Sequence, residues 1–164
     1  MSSGELQHRE IGIFVAGVVV WLCAITLESI GMNKLRDNTY DSKIAQSMSI
    51  SSAIVNLILT IIVLIVGIRY DTNLLDYGFI ILVLFLFNMI YLVFWGTSNT
   101  WLEDDATFKG QSDTLQSYDV FIKFRTSIAI LCGVFALWYL YRLYVAYQNT
   151  YGTVGYEQPT SSRV

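Results

Sequence analysis

Four stretches of this chain run without a charged residue: Ile11 to Leu27, Ile50 to Ile68, Tyr77 to Leu102 and Thr126 to Tyr141. A membrane-spanning helix needs roughly 20 mostly apolar residues. The second and third stretches meet that outright. The first and fourth meet it once Glu28 and Arg142 are placed near a headgroup boundary, where long polar side chains reach water. The pattern predicts helices over about 11–31, 48–68, 75–96 and 126–147. The expected fold class is all-α: an integral membrane, antiparallel four-transmembrane-helix bundle occupying residues 1–147.

The connections are unequal. A polar loop of mixed charge is expected over 32–47, a short link over 69–76 that makes a tight hairpin, and a long loop over 96–125. Residues 148–164, with glycine, serine, threonine and the lone Pro159, are expected to be a disordered tail.

Within the apolar stretches the polar and small positions are patterned. At about 100° per residue, Ser49, Ser52, Asn56, Thr60 and Gly67 form one narrow stripe on the second helix. Unpaired amides are costly in hydrocarbon, so the stripe should face protein. Tyr77, Ile81, Leu84, Asn88, Tyr91 and Trp95 form a seam on the third helix at alternating four and three spacing. Gly12, Ala16 and Cys23 on the first helix, and Ala129, Cys132, Gly133 and Ala136 on the fourth, are small enough to let backbones approach. Asn56 and Asn88 read as interhelical hydrogen bonds in preference to a polar pathway, because ionisable groups at depth would mark a path. Glu28 alone comes near, either pairing with another helix or meeting the interface.

Trp138, Tyr139, Tyr141, Arg142, Tyr144 and Tyr147 crowd the end of the fourth helix. They spread around a wheel instead of converging, which suits an interfacial belt. Arg142 is expected to point toward lipid, away from the Ala129, Cys132 and Ala136 face, with a cation–π contact to Tyr139 or Trp138 as it snorkels.

Composition sharpens this picture. Charged residues are 14% of 164 and the net charge is −3, with no basic cluster, so nucleic acid is a poor partner. Cys23 and Cys132 both fall inside predicted spans, so the loops carry no disulfide. No Asn-x-Ser/Thr acceptor occurs. The single histidine, His8, cannot build a triad or a multi-histidine metal site, and Walker, GxGxxG and CxxC motifs are absent. Glu103, Asp104 and Asp105 read as a solvated charge run. Neither catalysis, cofactor nor metal is expected.

The leader holds one arginine against two glutamates and no clean cleavage site follows the first apolar stretch, so that stretch is read as a retained helix. Serine at position two is incompatible with N-myristoylation. Both termini should share one side. Lys34, Arg36, Lys43, Lys109, Lys123 and Arg125 lie on the expected loops one and three, against Arg9, Arg69, Arg142 and Arg163 on the terminal side. That count favours outside termini. The leader and two tail motifs favour cytosolic termini, which is the reading adopted. Ser162-Arg163-Val164 has the Ser/Thr-x-apolar form that PDZ domains capture, and Tyr151 to Val154 has the Tyr-x-x-apolar form of sorting signals.

Four spans, a short second link, loops without enzymatic motifs and a last helix ending in Leu137 to Tyr147 together resemble the MARVEL group of tetraspan proteins. That group includes synaptophysin- and synaptogyrin-like proteins and fungal membrane-organising relatives; the lack of loop cysteines departs from several of its branches. Small four-span proteins of ciliary membranes have a similar outline. The resemblance implies a non-enzymatic protein of vesicles or membrane microdomains with cytosolic ends. The expected partners are the lipid bilayer, other membrane proteins or a homo-oligomer, and a cytosolic adaptor at the tail. Alternatives are an accessory subunit of a larger membrane complex, whose polar stripe would face foreign helices, and a channel lined by Ser52, Asn56 and Thr60.

Overall fold

Once polar residues are allowed to pair with each other, a helix need not stop where its apolar stretch stops. The computed structural model describes residues 8–34, 40–69, 78–104 and 112–151, and all four segments are helical: α1 (His8–Lys34), α2 (Tyr40–Arg69), α3 (Gly78–Asp104) and α4 (Ser112–Tyr151). Each is long and apolar enough to cross a membrane. Tyr77, the link between α2 and α3, Asp105, and the tail motif of Ser162, Arg163 and Val164 lie outside the described residues.

The helices outrun the expected boundaries. α2 begins at Tyr40 and α4 at Ser112, so much of what was expected as loops one and three is helix. α4 also continues to Tyr151, into the expected tail. Hydropathy fails here for a physical reason: beyond its first four N–H groups a helix satisfies its backbone internally, whether its side chains are polar or apolar. Arg125 is therefore a helical residue with a buried side chain, not a loop charge.

Contacts follow a closed ring in which α1 meets α2, α2 meets α3, α3 meets α4, and α4 returns to α1. Late α1 meets early α2, where Gly31 abuts Gln46; the middle of α1 meets the middle of α2, where Gly17 abuts Thr60. Early α3 meets late α4 at Gly78 and Ala146. One buried cluster gathers Phe14, Val63, Ile81, Leu84 and Tyr139; the other gathers Val20, Trp21, Ala24, Ala53, Tyr91, Ile128 and Cys132. Leucine, isoleucine, valine and phenylalanine cover the outside, with Val19, Ile58, Phe79, Val134 and Leu137 all exposed. An apolar surface of that extent marks a membrane or protein interaction surface.

Several expected packing positions are corrected. Gly12 and Ala16 lie on the exposed side of α1, and a methyl on Gly12 would meet nothing. Gly17, one residue on, faces the core, as does Gly31. Gly133 is half-buried with open space beyond it, although Ala129, Cys132 and Ala136 are buried. A helix in a ring has two neighbours, and a single stripe of small residues identifies at most one of them.

Candidate functional site

The helix ends opposite the described N-terminus hold a cluster of polar side chains at zero exposure: Glu28, Gln46, Ser98 and Arg125, one from each helix. Each continues the buried face of its own helix. Glu28 follows Trp21 and Ala24; Gln46 precedes Ser49, Ser52 and Asn56; Ser98 follows Asn88, Tyr91 and Trp95; Arg125 precedes Ala129 and Cys132. The spacing of three and four that carries the core stripe therefore carries the charged residues inward with it.

Arg125 and Glu28 meet fork to fork. The Arg125 Nε donates to Glu28 Oε1 at 3.0 Å, and Nη2 donates to Oε2 at 2.8 Å. Nη1 donates to Asn99 Oδ1 at 2.9 Å, and Nη2 also reaches the Ser98 hydroxyl and, at 3.4 Å, Gln46 Oε1. The guanidinium carbon lies 5.8 Å from the centre of the Trp95 ring, within cation–π range. On the acid, the Gln46 amide donates to Oε2, and also to the Glu28 backbone carbonyl at 2.8 Å. The Tyr91 hydroxyl donates to Oε1 at 3.4 Å. Both ions are thus desolvated with nearly every donor and acceptor matched, the condition under which a buried pair holds. Gly31 makes room: a Cβ there would stand 2.9 Å from the Gln46 amide nitrogen.

A second ion pair lies at the other end of the α1–α4 contact, where Arg142 Nη1 meets Glu10 Oε1 at 3.0 Å. Glu10 sits in the first turn of α1, where the helix dipole also favours an acid. This corrects the expectation that Arg142 turns to lipid. The α1-facing side of α4 carries Phe135, Trp138 and Arg142; Trp138 packs edge-on against Phe14 at 5.5 Å and Phe135 lies against Gly17. The expected belt is divided likewise: Tyr139 is buried and Trp138 half-buried, while Tyr141, Tyr144 and Tyr147 are exposed.

Between the two ion pairs the polar stripe of α2 turns inward. Ser49, Ser52, Asn56 and Thr60 are buried in this chain's own bundle, as is Gly67. Asn88 donates to the Cys132 carbonyl across α3 and α4 at 3.0 Å, the interhelical bond anticipated for it. Asn56 instead donates to Ser52 of its own helix at 3.3 Å.

Sequence reasoning singled out Glu28 and the Tyr91 and Trp95 seam but missed Gln46 and Arg125 as partners of Glu28, and Ser98 and Asn99 as partners of Arg125. A usable signal existed. Extending each buried stripe by one turn past the predicted helix limit lands on Gln46, Ser98 and Arg125. Among the described residues no group of three or more His, Cys, Asp or Glu side chains could hold a metal ion. No family model, curated protein or solved structure matches this chain.

Proposed function

We propose that this chain is an integral multi-pass membrane protein of MARVEL-like kind. It forms an antiparallel four-helix bundle with both termini in the cytosol, and it organises or sorts membrane without catalysing a reaction. The observation that carries this reading is that the polar side chains of the spans are buried inside the chain. An accessory subunit would keep its polar stripe for foreign helices; here Ser49, Ser52, Asn56 and Thr60 are covered by the chain's own helices. A channel would need its lining open to water, whereas these residues are buried.

The spacing of the ion pairs supports insertion. Glu10 and Glu28 are separated along α1 by about 27 Å at 1.5 Å per residue, and Arg125 and Arg142 along α4 by about 26 Å. A hydrocarbon layer is about 30 Å thick. Two charge pairs set that far apart, with an apolar exterior between them, would lie close to the two faces of such a layer. What remains for interaction is the lipid-facing surface and the segments beyond the spans.

Gentle detergent extraction of the native protein, followed by native electrophoresis and identification of co-migrating chains, tests the proposal. Monomer or small homo-oligomer, with other membrane proteins at variable ratio, is expected. Migration in a complex of fixed stoichiometry would establish the accessory-subunit alternative instead.

A further inference from the structure

The polar bonds of the buried cluster sort by half of the chain, the first half being α1 and α2 and the second α3 and α4. Within the first half, the Gln46 amide donates to the Glu28 backbone carbonyl at 2.8 Å and to the Glu28 carboxylate. Within the second, Arg125 donates to Asn99 at 2.9 Å and to the Ser98 hydroxyl, and Asn88 donates to the Cys132 carbonyl at 3.0 Å. Between the halves the neutral side chains of the cluster reach less closely. The Tyr91 hydroxyl stands 3.4 Å from Glu28, and Gln46 Oε1 stands 3.4 Å from Arg125. The short bonds that cross are those of the ion pair itself, 3.0 and 2.8 Å.

Both ion pairs cross one seam, that of α1 with α4: Glu28 meets Arg125, and Glu10 meets Arg142. These two helices are the neighbours in the ring that do not follow one another in the chain. Their backbones also approach each other least. Large rings bridge the space between them, with Phe14 edge-on to Trp138 at 5.5 Å and Phe135 against Gly17. Midway, the Tyr139 hydroxyl of α4 bonds to Thr60 and Trp21 of the first half. On the far side of the ring, α2 and α3 make its most extensive contact.

We infer that the α1–α4 seam is a lateral gate latched by the two ion pairs, and that the two halves of the chain swing apart on the α2–α3 contact as their hinge. Opening separates Glu28 from Arg125 but leaves each with partners of its own half. Glu28 keeps the Gln46 amide; Arg125 keeps Asn99, Ser98 and the Trp95 ring 5.8 Å away. Thr60, parted from Tyr139, keeps its bond to the Asn56 carbonyl. Retained hydrogen bonds lower the cost of uncovering a charge, which is greatest when every partner is lost at once. A helix leaving alone would forfeit them: α1 would lose Gln46 as well as Arg125, and α4 would lose Ser98, Asn99 and Asn88. The inference goes beyond the proposed function and rests on the packing alone.

The test uses the full chain in detergent micelles, with Cys23→Ala and Cys132→Ala removing the native thiols. Nitroxide labels are carried in pairs on Ser29→Cys, Ser47→Cys, Thr97→Cys and Ser127→Cys, all exposed positions near the Glu28 end of the bundle. Electron–electron distances then read each contact of the ring: 29 with 127 for α1–α4, 29 with 47 for α1–α2, 47 with 97 for α2–α3, and 97 with 127 for α3–α4. In Glu28→Gln the α1–α4 distance should lengthen by about 5 Å, roughly half the spacing of packed helices, with the other three unchanged. Warming the chain that keeps Glu28 and Arg125 should give the same order, the α1–α4 distance lengthening before the melting transition and the others only within it. The warming series decides the matter even if Glu28→Gln does not fold. An α1–α2 or α3–α4 distance that lengthens together with α1–α4 would mean that one helix leaves alone, and would overturn the gate. So would an α1–α4 distance that stays fixed until all four change.

Discussion

Arg125 and Glu28 lie 97 positions apart in the chain and meet through two parallel hydrogen bonds, of 3.0 and 2.8 Å, with neither side chain exposed. The contact joins the first helix to the last. It cannot form until both are in place, and each residue alone would leave an uncompensated charge in an apolar setting.

Removing one partner should therefore be severe. Glu28→Gln or Arg125→Gln is expected to cost about 3–5 kcal/mol, because the remaining ion stays buried without its counter-charge. The Glu28→Gln, Arg125→Gln double variant should recover part of that loss, with a coupling of about 1–3 kcal/mol. Thermal unfolding in one detergent across the four-membered cycle measures it. Additive single losses would show that the two residues do not act as a pair.

Arg125→Lys keeps the charge and discards the fork. A lysine can reach one Glu28 oxygen but cannot also serve Asn99 and Ser98 in the same plane. The expected loss is about 1.5–3 kcal/mol, the range for hydrogen bonds to charged groups. A melting temperature equal to the wild type would mean that charge alone holds the cluster.

Glycines separate sharply by surroundings. Gly31→Ala should destabilise by about 1–3 kcal/mol, since its methyl displaces the Gln46 amide that caps Glu28. Gly133→Ala and Gly12→Ala should stabilise by about 0.5–1 kcal/mol, because nothing stands within 4 Å of the added carbon and alanine is the better helix former. Parallel melting curves of the three variants check the ordering; equal losses would contradict the packing of α1 on α2.

The two ion pairs should answer salt differently. Glu10 and Arg142 keep side-chain exposures of 10% and 17%, against zero for Glu28 and Arg125. Their coupling should be about 0.2–1 kcal/mol and should fade as salt rises toward about 1 M, where screening acts within roughly 3 Å. The Glu28–Arg125 coupling should hold over the same range. Double-mutant cycles at low and high salt distinguish them.

Much of the architecture was legible in one dimension. A span must be apolar over its whole length, and the stretches around Val19, Leu59, Leu86 and Val134 could scarcely be anything else. The inward face of α2 was legible too, because Ser52, Asn56 and Thr60 recur at helical spacing and polar groups are costly against an apolar surrounding. Gln46, Ser98 and Arg125 were not. A polar residue at the edge of an apolar stretch reads as the start of a loop, since hydropathy weighs each residue alone and cannot know that another buries it. Arg142 failed for a related reason: one small-residue face on α4 accounts for the contact with α3, and a second face was needed for α1.

The amino-acid sequence by itself determined how many long apolar helices form and which face of α2 turns inward, because both follow from local periodicity and the cost of unpaired polar groups. Only the tertiary structure decided which partners those residues take. Glu28 is matched by Arg125, Gln46 and Tyr91, and Glu10 by Arg142, through contacts between helices far apart in the chain. Complementary charges are chosen by which faces the ring of helices brings together, and that is a property of packing and not of any single segment.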